Sequence, residues 1–286
     1  MTAVSTAPTS RSPLRVLRQI AAALPLIFLA VWTLGPFLVA VSVSLKQRAE
    51  VFSDLSLIPT SPSLESYGEV LERPEFRDAL WNSSIIGIGT TLLTLVIGVP
   101  AAYAFARFNF RGRNLLLLFT LLPRLVPSLG LLVPLYRLAA AFGMLDKRMT
   151  LVIVYTGMLL PLAVWVMVGF FRQIPRELEE AANVDGATLF SRMRYIVMPL
   201  SLPALITIAV LAFREAWNEF TLALVLTSTP GKRTLPYELF LSSDTPGLPN
   251  FPVDAAFALL TVVPFVLVYM RIERYVVSGI TSGAVK

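Results

Sequence analysis

The sequence predicts an all-α membrane protein that crosses the bilayer several times, and three observations predict it. Of 286 residues, 56% are hydrophobic and only 15% charged, where a soluble domain carries about 25% charged residues. The mean hydropathy is +0.72. Six apolar runs are long enough to cross a hydrocarbon layer that takes roughly 20 helical residues. The chain has no cysteine and no histidine, which removes disulfides, thiol nucleophiles, Ser-His-Asp catalysis and the usual zinc and haem sites. No catalytic residue and no metal ligand set is therefore expected. The net charge of +6 points to nucleic acid only until its basic residues are located.

Taken in order, residues 1–19 form a tail whose start is rich in Ser, Thr, Ala and Pro and is expected to be disordered. Arg15 and Arg18 before an apolar run read superficially as a secretory signal. The run is too long for one and lacks a small-residue cleavage site, so residues 20–45 are expected to remain as the first span. Residues 46–78 make an external loop, and residues 79–271 hold five further helices. Within that core the spans are 79–106, 115–141 (interrupted by Arg124 and Arg137), 149–171, 200–226 and 251–270, and the segment 272–286 is a second tail.

An even number of spans puts both termini on one side, and basic residues select the side. The tails, with Arg271 at the end of the last span, and the loops 107–114 and 172–199 hold 13 Lys and Arg, against 8 on the alternate loops. Both termini are accordingly expected in the cytoplasm. The opposite side carries eleven acids, seven of them between Glu50 and Asp78. That asymmetry accounts for the basic balance without nucleic acid.

The loop 172–199 is too polar to span and too patterned to be slack. Pro175 suits a helix start, and Glu177, Glu179 and Glu180 follow where carboxylates complement the helix dipole. Ile174, Leu178, Ala181 and Ala182 recur at helical spacing as one apolar stripe, and Gly186 supplies a left-handed stop. A second stripe runs from Leu189 or Phe190 through Met193 and Ile196 or Val197 to Leu200. The reading is helix, tight turn, helix. Its first helix is acidic, unlike a helix resting on lipid headgroups, and its small alanines suit close approach to a protein groove.

Glu180-Ala-Ala182, then Gly186, Ile196 and Met198-Pro199 resemble the EAA loop of permease subunits in binding-protein-dependent ABC importers. Met198 stands where that pattern has Leu, a volume-conserving change. Asn82-Ser83, Ala101-Ala-Tyr-Ala-Phe-Ala-Arg107, Trp217-Asn-Glu-Phe220 and Gly279-Ile-Thr-Ser-Gly-Ala-Val-Lys286 resemble the carbohydrate-uptake branch, in particular the smaller permease of maltose-type importers. The resemblance implies the type I importer permease fold and a hetero-oligomer in a bacterial or archaeal plasma membrane. The implied partners are a second permease, two ATPase subunits, an extracytoplasmic solute-binding protein, a sugar substrate and surrounding lipid. It further implies that Glu180, Ala181, Ala182, Asp185 and Gly186 couple to the ATPase. It also implies ATP and Mg on that partner; this chain has no G-x-x-x-x-G-K-[ST] phosphate cradle and is expected to bind no ATP itself.

The fifth span carries Arg214, Glu215, Asn218 and Glu219 on one helical stripe. Its Leu, Ile, Val and Phe residues favour insertion by roughly −4 to −8 kcal/mol, whereas three central charges cost about +7 to +10 kcal/mol in lipid. The stripe must therefore face protein or water, as a packing device or as a pathway. Arg124, between Pro123 and Pro127, is a candidate ion-pair partner for Glu215 or Glu219. Tyr136, Tyr155, Trp165 and Trp217 either stack on a sugar ring or fill packing space. The rival class is a self-sufficient ion-coupled secondary transporter or channel using the Arg124 and Glu215 group, which leaves the loop 172–199 without a role.

Overall fold

The computed structural model describes residues 13–54, 56–243 and 250–284. The start of the N-terminal tail, residues 1–12, and the last two residues lie outside them. Among the described residues there is helix and turn but no strand. The helices are α1 (Pro13–Ser44), α2 (Arg48–Ser53), α3 (Glu65–Glu72), α4 (Pro74–Arg107), α5 (Arg113–Phe119), α6 (Ser128–Ala141), α7 (Arg148–Gln173), α8 (Arg176–Val184), α9 (Leu189–Arg192), α10 (Met198–Leu200), α11 (Leu202–Asn218), α12 (Thr221–Leu226), α13 (Leu235–Ser243) and α14 (Phe251–Ala284). Four stretches are long and apolar enough to span: Ala23–Ser44, Pro74–Arg107, Arg148–Gln173 and Phe251–Arg271. Two bent pairs bring the total to six if each is one span.

The bent pairs are where the structure departs from six plain rods. The third span is a short helix, a 3₁₀ turn at Leu122–Leu125 and then α6, with a 97° bend. Pro123 and Pro127 explain it: neither can donate to a helix ladder, and each pushes its preceding residue out of helical geometry. At the start of the fifth span, Leu189–Leu200 and Leu202–Asn218 meet at 80°. There Met193–Val197 forms a π turn directly before Pro199, with the Met198 amide donating to the Met193 carbonyl, a recurrent setting for a sharp bend. The same span breaks again between α11 and α12 at Glu219 and Phe220. The last spanning stretch ends at Arg271, and the second tail leaves it as a continuation of the same helix, α14, to Ala284.

The chain divides into two units, residues 1–68 with 250–259 and residues 69–249 with 260–286. In the first, α1 is bare over most of its apolar length. The segment after it is held by a buried lysine: Lys46 Nζ donates to the carbonyls of Asp54 and Ser56, each at 2.7 Å. Glu50 accepts from the Thr60 amide, and Asp54 from the amide and hydroxyl of Ser56. Those hydrogen bonds hold both carboxyls below their ordinary pKa.

In the second unit α4 packs along α7, with α11 against both. One core cluster gathers Tyr103 and Ala106 of α4, Leu117 of α5, Met167 and Phe171 of α7 and Ile208 of α11. Another, toward the opposite end, gathers Ile86, Leu151, Tyr155, Ala216 and Leu222. Small residues permit the close approach that membrane helices use in place of a hydrophobic driving force. A methyl added at Gly98 would lie 2.8 Å from Met167 Cε, and one at Gly87 2.8 Å from the Phe213 ring.

Candidate functional site

α8 begins after Pro175, which occupies its N-cap, and carries Glu177 and Glu179 in its first turn. It ends in a Schellman motif. The Gly186 amide donates to the Asn183 carbonyl at 3.1 Å and the Ala187 amide to the Ala182 carbonyl at 2.9 Å, the paired bonds that satisfy a helix end when the next residue turns left-handed. Gly186 has φ +84°, and no atom crowds the place of a Cβ, so backbone conformation, not space, demands glycine. Thr188 then caps α9 through its hydroxyl, which accepts from the Ser191 amide.

The side chain that holds α8 to the bundle is Glu179, one residue before the expected contact residue. It is 6% exposed. Its Oε2 accepts from the Tyr103 hydroxyl at 2.5 Å, and its Oε1 lies 2.6 Å from Arg107 Nε as an ion pair. Arg107 also donates through Nη2 to the Ile174 carbonyl at 3.0 Å, which ties in the end of α7. Tyr103 and Arg107 stand one turn apart at the end of α4 and so share a face. At about 100° per residue, Glu177, Ala181 and Val184 lie opposite Glu179, with Leu178 and Glu180 flanking that outer face. All five are exposed, Val184 at 88%. Ala182 is half-buried, whereas Asp185, Gly186 and, further along the hairpin, the large side chains of Phe190 and Tyr195 are exposed.

The polar stripe of the fifth span separates into two parts. Arg214 pairs with Glu215 at 2.9 Å, and Asn218 Nδ2 donates to the Arg214 carbonyl; all three side chains are exposed. Glu219 turns inward instead. It accepts from the amides of Leu222 and Ala223 at the start of α12 and from the Tyr155 hydroxyl at 2.6 Å. This carboxylate therefore stabilises the helix break. The expected ion pair between Arg124 and Glu215 or Glu219 is not formed: both acids have these other partners, and Arg124 makes no ion pair among the described residues. The proline-bent third span points it elsewhere, into an open groove of about 700 Å³ with Leu131, Leu135, Ile153 and Met158.

Of the four aromatic candidates, two are buried in packing, Tyr155 and Trp217, while Trp165 is exposed at 39%. Tyr155 is buried on Glu219, Trp165 Nε1 donates to the Leu117 carbonyl, and Trp217 is buried and stacked on Phe213. Tyr136 is exposed.

Membrane-length helices with two broken spans, and an amphipathic helical hairpin pinned to one end of the bundle, define the class: a polytopic helical permease. The chain belongs to the family described as binding-protein-dependent transport system inner membrane component, whose model matches residues 94–282. It is thus a membrane-spanning subunit of an ABC importer and not itself an enzyme. It is 38% identical over 89% of its length to the trehalose transport system permease protein SugB of Mycobacterium tuberculosis, covering 93% of that protein. It is 35% identical to the sulfoquinovosyl glycerol transport system permease protein SmoH of Agrobacterium fabrum, with both chains fully covered. The fold is also that of a chain in a bacterial ABC transporter that imports the acidic polysaccharide alginate, with TM-score 0.82, 24% identity, and coverage of 94% of this chain and 100% of that one.

Proposed function

We propose that this chain is one of two permeases of a carbohydrate importer and that the exposed face of α8 seats in a groove of an ATPase subunit. The observation that carries the reading is the division of α8 into two faces: Glu179 locks one to the bundle, and the other offers Leu178, Ala181 and Val184 beside Glu180 to a partner. The Gly186 turn fixes how the following helix leaves that contact. In this arrangement α8 and both termini are cytoplasmic, and loops such as 142–147 and 227–234 face a solute-binding protein outside. ATP and Mg bind to the ATPase pair, whose closure pushes α8 against the bundle.

Carbohydrate as the cargo is supported by what the relatives' names say they transport. The exposed Arg214, Glu215 and Asn218, together with Arg124, are assigned to the path or to the second permease, since charges at that depth are costly against lipid. The test is Gly186→Val in the reconstituted four-subunit transporter. Insertion and assembly are expected to persist while ATP hydrolysis ceases to respond to the solute-loaded binding protein. Normal stimulation would count against the role of α8, and transport by this chain alone under an ion gradient, indifferent to ATP, would establish the rival class.

A further inference from the structure

α4 carries a second anchor at the end away from α8. Asn82 is fully buried; its Nδ2 donates to the carbonyls of Gly231 and Arg233, each at 2.9 Å, and its Oδ1 accepts from Arg148 Nε at 2.6 Å. The neighbouring Ser83 Oγ accepts from the Leu235 amide at 2.8 Å. Asp146 grips the start of the same loop, accepting from the amides of Ser228 and Thr229. The segment 227–234 is thereby fastened to α4 and, through Arg148, to α7.

The two anchors of α4 are separated by one membrane. From Asn82 to Tyr103 the helix climbs about 31 Å, close to the thickness of a hydrocarbon core. α7 supports it throughout and is pinned at both ends, by Arg148 on Asn82 and by the Ile174 carbonyl on Arg107. Gly89 lies against Val152, and Gly98 against Ala163 and Met167, so the helices run in the same direction in nearly constant register. Close-packed helices have low compressibility and transmit strain along the contact.

We infer that Asn82 and Arg148 are positioning residues of the transport cycle: they make the α4–α7 pair a connecting rod that ties movement of α8 to the loop 227–234 at the opposite membrane face. The inference rests on α8 being the ATPase contact. Coupling of this kind is reciprocal, so a partner docking near 227–234 biases ATPase engagement as much as the reverse. The tilt of the helix pair is the element with two positions that both sites would bias.

The experiment is hydrogen exchange on the assembled transporter in bilayer discs, with and without Mg-ATP and vanadate. In the wild type, trapping is expected to change exchange both in α8 and in 227–235. Asn82→Asp keeps the size and the Arg148 contact but replaces the amide donor with an oxygen facing two carbonyls. It should leave the α8 response intact and reduce the response at 227–235 about tenfold, a usual size for allosteric coupling; Arg148→Lys, which retains a donor, should preserve more of it than Arg148→Met. A wild-type complex in which α8 responds and 227–235 does not would overturn the rod alone. If neither segment responds, the α8 reading falls and takes the rod with it.

Discussion

Glu179 and Glu180 are adjacent and chemically identical, yet their replacement by alanine should have unrelated consequences. The carboxyl of Glu179 and the side chain of Arg107 are 7% and 8% exposed, so solvent does little to screen their interaction. Glu179→Ala leaves a guanidinium in the cluster of Tyr103, Phe171 and Ile174 without its counter-ion, and breaking such a pair costs about 3–5 kcal/mol. Arg107 keeps the Ile174 carbonyl, which places the loss near the lower limit. A loss of ~3 kcal/mol lowers the melting temperature of a chain this size by roughly 6–12 °C. Glu180→Ala, on the exposed face, should stay within about 0.5 kcal/mol of wild type. The assay is thermal unfolding of the purified transporter in detergent. Replacing both partners, Glu179→Met with Arg107→Met, should recover most of the loss, because an apolar pair of similar volume leaves no stranded charge. If Glu179→Ala melts with the wild type, or Glu180→Ala falls as far, the assignment of inner and outer faces is wrong.

Three further outcomes follow from the geometry. A β-branched side chain at φ +84° costs more than the roughly 1–2 kcal/mol of an ordinary left-handed residue, so Gly186→Asn should retain binding-protein stimulation of ATP hydrolysis and Gly186→Val should lose it. Asp146 is held down to a pKa of about 2, chiefly by the Thr229 hydroxyl and then by the amides of Ser228 and Thr229. A depressed pKa contributes stability that is complete above the ordinary value and is lost as pH falls toward the folded one. Protection of the amides in 227–234, taken relative to the intrinsic exchange rate at each pH, should therefore fall between about pH 4 and pH 2, whereas Asp146→Asn, a residue that tolerates φ 62°, should be less protected at neutral pH and show no such fall. Tyr155→Phe removes one hydrogen bond to a carboxylate and should cost about 2 kcal/mol while uptake of labelled sugar continues; lost uptake at unchanged stability would instead place the ring on the solute.

How far the sequence could be read depended on the kind of signal. Hydropathy located the membrane helices, and glycine chemistry located the turn at Gly186, because both act within a short window of chain. The bend of the third span was written in Pro123 and Pro127, but its size depends on how α6 settles against neighbours distant in sequence. Glu179 was hidden for another reason. Three glutamates crowd one short helix, and only packing against Tyr103 and Arg107 decides which of them points inward. Those two residues, one turn apart at the end of an apolar run, were the available signal for that anchor. Glu219 shared helical spacing with Glu215 only while the helix continued, and the break that it caps removes it from the stripe. Asn82 was visible as an opening polar pair, but its partners lie about 150 residues away and no local pattern indicates them.

The account's central claim is that the open face of α8 meets an ATPase. The chain contains no cysteine, so Val184→Cys introduces a single thiol at an 88% exposed position with no competing site. Crosslinking through that thiol in native membranes, with the adduct identified by mass spectrometry, is predicted to join this chain to the nucleotide-hydrolysing subunit. An adduct with any other polypeptide, or none with the ATPase in an active transporter, would contradict it.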